Sequence, residues 1–149
     1  MLLLNSGRAA SAAPYLERAV VTAPNDAVSW NNLGAVRREM GEETEALAAF
    51  ERALKINRSY SAARLNLANL LRCQGRLAYA RPHYSFLLDR NANDALAVVN
   101  LGDLEALGGN FDAAFPLFCR KHFLGAKCAA SGIASLAGRT FGGARISAN

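Results

Sequence analysis

Apolar residues along this chain recur at steps of three and four and then repeat on a longer interval. Ala12, Leu16, Ala19 and Val20 share one helical face, and Leu33, Val36 and Met40 share another. Ala46, Phe50, Ala53 and Leu54 do the same, because such steps return to one side of a 3.6-residue turn. These runs predict helices over Ala9 to Val21, Ala27 to Met40 and Glu43 to Ile56, with residues 1 to 6 as the last turns of an earlier helix. Gly7, Gly41, Gly75 and Gly109 stand at one constant interval. Ala12, Ala46, Ala80 and Ala114 keep the same step, as do Leu33-Gly34, Leu67-Ala68 and Leu101-Gly102. Phe50, Tyr84 and Phe118 form a further column, with Leu16 at the equivalent place in the first unit.

That interval, about 34 residues, is the length of a helix–turn–helix repeat, with each glycine supplying a left-handed turn between helices. The expected fold is all-α, an α-solenoid of antiparallel helix pairs amounting to about three and a half units. The array should cover 1–124, as a partial unit 1–26 and complete units 27–60, 61–94 and 95–124. Pro14, Pro82 and Pro116 fall near the starts of second helices. A proline is tolerated in a first turn but costs about 3 kcal/mol inside a helix, so these helices should begin no earlier than about Ala9, Leu77 and Phe111. Without the beginning of its first helix, the array should leave the face of Ala12, Leu16 and Ala19 uncovered. That suggests either a piece of a longer array or self-association through this N-terminal face.

From Gly125 the composition shifts to alanine, glycine and serine. Ala129, Ile133, Leu136 and Ala137 could share one helical face, as a capping helix or a worn fifth first helix, before a flexible basic tail. Net charge is +5, yet Lys and Arg balance Asp and Glu through Cys119. The excess comes from Arg120, Lys121, Lys127, Arg139 and Arg145. A balanced body argues against a nucleic-acid footprint, and the scattered tail charges make a weak site for RNA or anionic lipid. No run approaches the roughly 18 apolar residues of a membrane span, and Met1-Leu2-Leu3-Leu4 is too short for a signal core. Cys73, Cys119 and Cys128 are odd in number and lack metal-ligand spacing, which favours a reducing, cytoplasmic setting.

Trp30-Asn31-Asn32-Leu33-Gly34, followed by Gly41, Ala46, Phe50 and Ala53, resembles the signature of the tetratricopeptide repeat (TPR) family. The next two units depart from it, with Arg64 and Val98 where the pattern prefers tryptophan. The terminal proline survives only as Pro24, with Arg58 and Ala92 in its place later. The resemblance implies that the first helices line a concave surface that holds another polypeptide.

That surface would carry Asn32, Asn66 and Asn100 as a column, with Asn69 and Asp103 beside it and Leu65, Leu96 and Val99 as apolar grip. A side-chain amide both donates and accepts, so a column of them can pair with an extended peptide backbone. The column resembles the asparagine ladder in the TPR superhelix of O-GlcNAc transferases. The same amides could also serve packing between helices. Arg38 and Arg72 stand beside the column and would favour carboxylate or phosphate on a ligand; each also suits a solvated helix end. The dicarboxylate clamp of TPR co-chaperones is not expected, because its basic places fall on Asn31, Leu96 and Asn100.

Catalytic chemistry has little support. Cys119 and His122 lie three residues apart, close enough for a Cys–His pair, but no orienting group accompanies them. His122 also falls where Val20, Leu54 and Leu88 occupy other units. There is no phosphate-binding glycine loop, and no cofactor or metal is expected. The expected function is a non-enzymatic scaffold binding a protein or extended peptide, with no nucleic-acid or membrane partner. The alternative is a substrate-presenting arm of a larger enzyme such as an O-GlcNAc-type glycosyltransferase.

Overall fold

A computed structural model describes residues 2–123, with side chains described for 8–120. Seven α-helices and no strand occur among the described residues. They are α1 (Leu2–Thr22), α2 (Ala27–Glu39), α3 (Glu43–Ile56), α4 (Ser61–Cys73), α5 (Leu77–Arg90), α6 (Ala95–Leu107) and α7 (Phe111–Phe123). Each helix packs on the next, and α2–α3, α4–α5 and α6–α7 are the closest pairs. The chain is an all-α helical repeat solenoid.

The same joint closes each pair. Gly41, Gly75 and Gly109 adopt φ of 81°, 72° and 77°. In the first joint the amide of Gly41 donates to Arg38 O at 3.0 Å and that of Glu42 to Arg37 O at 2.9 Å. Gly75 and Arg76 repeat these bonds to Arg72 and Leu71, and Gly109 and Asn110 to Ala106 and Glu105. This is a Schellman cap, whose left-handed residue lets two orphan carbonyls find donors. A Cβ at these three glycines would meet nothing within 4 Å, so backbone conformation rather than space selects glycine.

Between pairs the chain turns at Asp26, Tyr60 and Asp94. Asp26 accepts the amides of Val28 and Ser29, and Asp94 those of Leu96 and Ala97. Tyr60 offers no side-chain cap. Trp30 Nε1 donates to Pro24 O at 3.0 Å across the first of these turns. One repeat on, the Arg64 guanidinium donates to Arg58 O. The arginine that breaks the tryptophan column therefore keeps its hydrogen bond, in a turn that has also lost its proline.

The core forms where the aromatic column meets the small-residue column. Phe50 and Tyr84 are fully buried with Ala46, Ala68, Ala80 and Leu104 in one cluster. A Cβ on Gly34 would lie 2.7 Å from the Phe50 ring, and one on Gly102 would lie 3.0 Å from Phe118. Close approach of the paired helices at these points leaves no room for more. Leu33, Ala46, Phe50 and Ala53 are buried, whereas Val36, Met40 and Leu54 at the same seam are half-buried.

The first helix corrects the sequence reading. Residues 2–22 form one continuous helix instead of two segments hinged at Gly7. Pro14 therefore lies in a helix interior. Helix propagates through Gly7 at a cost of about 1 kcal/mol. The α1 face is also partly covered: Ala9, Ala13 and Val20 are buried, and Ala12, Leu16 and Ala19 are half-buried. Helices α5 and α7 begin at Leu77 and Phe111, the expected starts, yet Pro82 and Pro116 also lie inside their helices, just beyond the first turn. The expected capping helix, the flexible basic tail and the His122 side chain lie outside the described residues.

Candidate functional site

One side of the helix stack is drawn together and the other is splayed. Helix α2 meets α4 and α4 meets α6, while among the described residues α1, α3, α5 and α7 do not meet one another. Helices that touch on one side and separate on the other curve the stack, so α2, α4 and α6 line its inner face. This face carries the residues singled out from the sequence, but they fall into different environments.

Asn32 is exposed and Asn100 half-buried, and neither side chain has a hydrogen-bond partner among the described residues. Asn66 differs: its Nδ2 donates to Asn31 Oδ1 at 2.9 Å, tying α4 to α2. Asn31 itself is only 6% exposed. Leu65 and Val99 occupy its place in the later pairs, so the amide bridge occurs once. Asn69 also turns inward, where its Oδ1 accepts the Tyr84 hydroxyl at 2.6 Å. Phe50 and Phe118 stand at the equivalent positions, so the hydroxyl is peculiar to this pair and Asn69 satisfies it. Burial raises the Tyr84 pKa, opposed by Arg72 alongside, with Cys73 and Asp103 also near enough to act on it.

Arg72 is half-buried, and its Nε is enclosed without a partner; Arg38 is exposed. Leu65 packs against the central core cluster, which makes it more core than grip. Leu96 (62% exposed) and Val28 (49% exposed) are the open apolar residues at the starts of α6 and α2. Val99 and Asp103 are half-buried. The column is therefore not a uniform ladder: Asn66 and Asn69 are engaged internally, while Asn32 and Asn100 remain available.

The sequence reading missed a second recess. A cleft of about 420 Å³ opens between α2 and α3, floored by Trp30, Leu33, Ala48 and Ala49 and rimmed by Arg37 and Arg52. In the next pair larger residues, Pro82, His83 and Phe86, replace Ala48, Ala49 and Arg52. There the Arg64 guanidinium lies 3.8 Å over the Phe86 ring. Its Nη1 is 3.4 Å from His83 Nδ1. The clue was the small pair Ala48-Ala49 beside the lone tryptophan.

Two charged contacts fix successive pairs in register. Arg37 reaches Glu17 on α1 and Glu42 beyond the Gly41 turn. At the corresponding place in α6, Glu105 (5% exposed) accepts from Arg81 of α5 at 2.9 Å and from Asn110 of the next turn at 3.0 Å. The polarity is reversed, and the partner on the preceding helix stands one turn earlier, since Ser85 holds the place of Glu17.

No cluster of three or more metal-ligating side chains occurs among the described residues, and no described helix is long and apolar enough to cross a membrane. Cys73 is exposed and Cys119 half-buried, both free thiols.

A search of curated protein sequences finds no match. Among solved structures, the crystal structure of MamA protein aligns with a TM-score of 0.71 at 22% identity, over 76% of this chain and 62% of that one. The MamA RS-1 ArsTM double mutant aligns with a TM-score of 0.73 at 18% identity, over 79% of this chain and 66% of that one. At these identities the likeness shows the fold alone, and this chain spans about two thirds of those proteins. Two models of the tetratricopeptide repeat match, one over residues 27–60 and the other over residues 65–123. With the glycine-closed helix pairs and the small-on-aromatic packing, these matches establish that the chain belongs to the tetratricopeptide repeat family.

Proposed function

We propose that this chain is a non-catalytic scaffold that holds an extended segment of a partner protein along the inner face of α2, α4 and α6. The observation that carries this reading is the open track on that face. Asn32 and Asn100 lack internal partners, and Val28 and Leu96 stay exposed at the head of their helices. Each backbone bond from a free amide contributes roughly 0.5–1.5 kcal/mol net. Two such bonds give weak affinity, so apolar burial at Leu96 and Val28 must supply the remainder at roughly 25 cal/mol per Å². Arg38 and Arg72 give the track a preference for acidic side chains near its glycine-turn edge.

The decisive test is a displayed peptide library panned on the purified chain and on an Asn32→Ala/Asn100→Ala/Leu96→Ser variant. All three residues lie away from the buried core, so helicity should be unchanged. Peptides retained by the first protein and lost by the variant would support the groove. Equal binding by both, or no selected peptides, would sink it. Because Asn66 and Asn69 are already bonded within the fold, side-chain grip is favoured over a continuous amide ladder. The substrate-arm alternative is correspondingly less favoured.

A further inference from the structure

We propose that the cleft between α2 and α3 receives an aromatic side chain of a partner polypeptide, stacked on the Arg52 guanidinium over a floor of Trp30, Leu33 and Ala49. Trp30, Leu33 and Arg37 of the cleft follow one another at three- and four-residue steps. Those steps put them half a turn away from Val28, Asn32 and Ala35 on the inner face. The cleft therefore opens outward, where α1 and α3 stand apart, and the proposal does not rest on the inner groove.

The next pair shows what suits this place. One repeat on, Arg64 stands for Trp30, His83 for Ala49 and Phe86 for Arg52, and the chain fills the space itself. The Arg64 guanidinium lies 3.8 Å over the Phe86 ring, with Nη1 3.4 Å from His83 Nδ1. The first pair holds the same two kinds of group with the helices exchanged, an aromatic on α2 and a guanidinium on α3. Small Ala48 and Ala49 beside them leave about 420 Å³ open, within the usual range of ligand pockets. Of the two cations at the rim, Arg37 is committed to Glu17 and Glu42. Arg52 is half-buried and has no hydrogen-bond, ion-pair or ring partner among the described residues. Its charge complements the negative face of an aromatic ring, which also covers the apolar floor. A bare carboxylate would meet the cation but leave the floor uncovered, beside Glu45 at the rim. An aliphatic side chain would cover the floor and leave the cation unanswered.

Trp30 is the single tryptophan of the chain, so its indole N–H resonance reports the cleft directly. Titrating the full chain with N-acetylphenylalanine amide should shift that resonance saturably, with a dissociation constant on the order of millimolar for so small a probe. N-acetylleucine amide should bind about three-fold more weakly, and Arg52→Gln should weaken the aromatic probe by about the same factor. Ala48→Phe, a substitution at an exposed position, should fill the cleft and abolish the shift while the far-UV circular dichroism stays unchanged. The Asn32→Ala/Asn100→Ala/Leu96→Ser variant should bind the probe as the unsubstituted chain does. Absence of a saturable shift would overturn the proposal, as would equal binding of the leucine probe or unchanged binding by Arg52→Gln. Loss of binding in the inner-face variant would also overturn it and give the probe to the groove.

Discussion

Asn66 donates to the buried Asn31 across the α2–α4 contact at 2.9 Å, which makes one member of the inner asparagine column a structural bridge. Removing one partner leaves the other buried and unsatisfied. Asn66→Ala should therefore destabilise the array by about 1–3 kcal/mol. Asn31→Leu combined with Asn66→Ala should recover most of the loss, since Leu65 and Val99 show that an aliphatic residue suits Asn31's place. Urea denaturation of the two single variants and the double variant measures this. Additive losses would show that the bridge is not the operative link.

The contact between Gly34 and Phe50 opposes helix propensity. Alanine is about 1 kcal/mol better than glycine in a helix, yet its Cβ would stand 2.7 Å from a fully buried ring. Overpacking of that kind costs about 1–3 kcal/mol, so Gly34→Ala should be destabilising. Gly102→Ala, where Phe118 is 3.0 Å away, should be better tolerated. Comparing the two midpoints of thermal unfolding decides the matter.

Gly75 is constrained differently. At φ 72° with open space around it, an alanine there should cost about 1–2 kcal/mol from the left-handed backbone alone. Gly75→Asn should cost less, because asparagine visits this region more readily. Equal losses for Ala and Asn in chemical denaturation would point to a packing cause instead.

His83 should make stability depend on pH. Burial first and the Arg64 guanidinium second hold its pKa below the ordinary 6.5, so between the folded and unfolded values the unfolded chain binds more protons. Its contribution is then fully present above about pH 6.5 and lost as pH falls through the lowered folded value. His83→Gln should flatten the stability–pH curve in that window. An unchanged slope would place the titration elsewhere.

How far the sequence could be read follows from what repeats and what does not. The constant repeat step set the helix pairs, because glycine at a left-handed joint and a small residue opposite an aromatic ring are demands that few residue types meet. The limits of α3 and the starts of α5 and α7 were legible from the same marks. The first helix was not: Gly7 carries the periodic mark, yet helix runs through it from Leu2 to Thr22.

The inner face was legible as a location but not as chemistry. Asn32, Asn66 and Asn100 share one place in the repeat, and sequence treats them alike. Which amide is already bonded depends on what the neighbouring pair offers: Asn31 to Asn66, and Leu65 to Asn100. Likewise Arg64 breaks the tryptophan column in sequence but restores its hydrogen bond in space and stacks on Phe86. Local periodicity determined the architecture of this protein, because repeated backbone geometry selects repeated residues. The tertiary structure alone decided which polar groups remain open to a partner, because satisfaction of a buried group depends on residues brought together from different pairs.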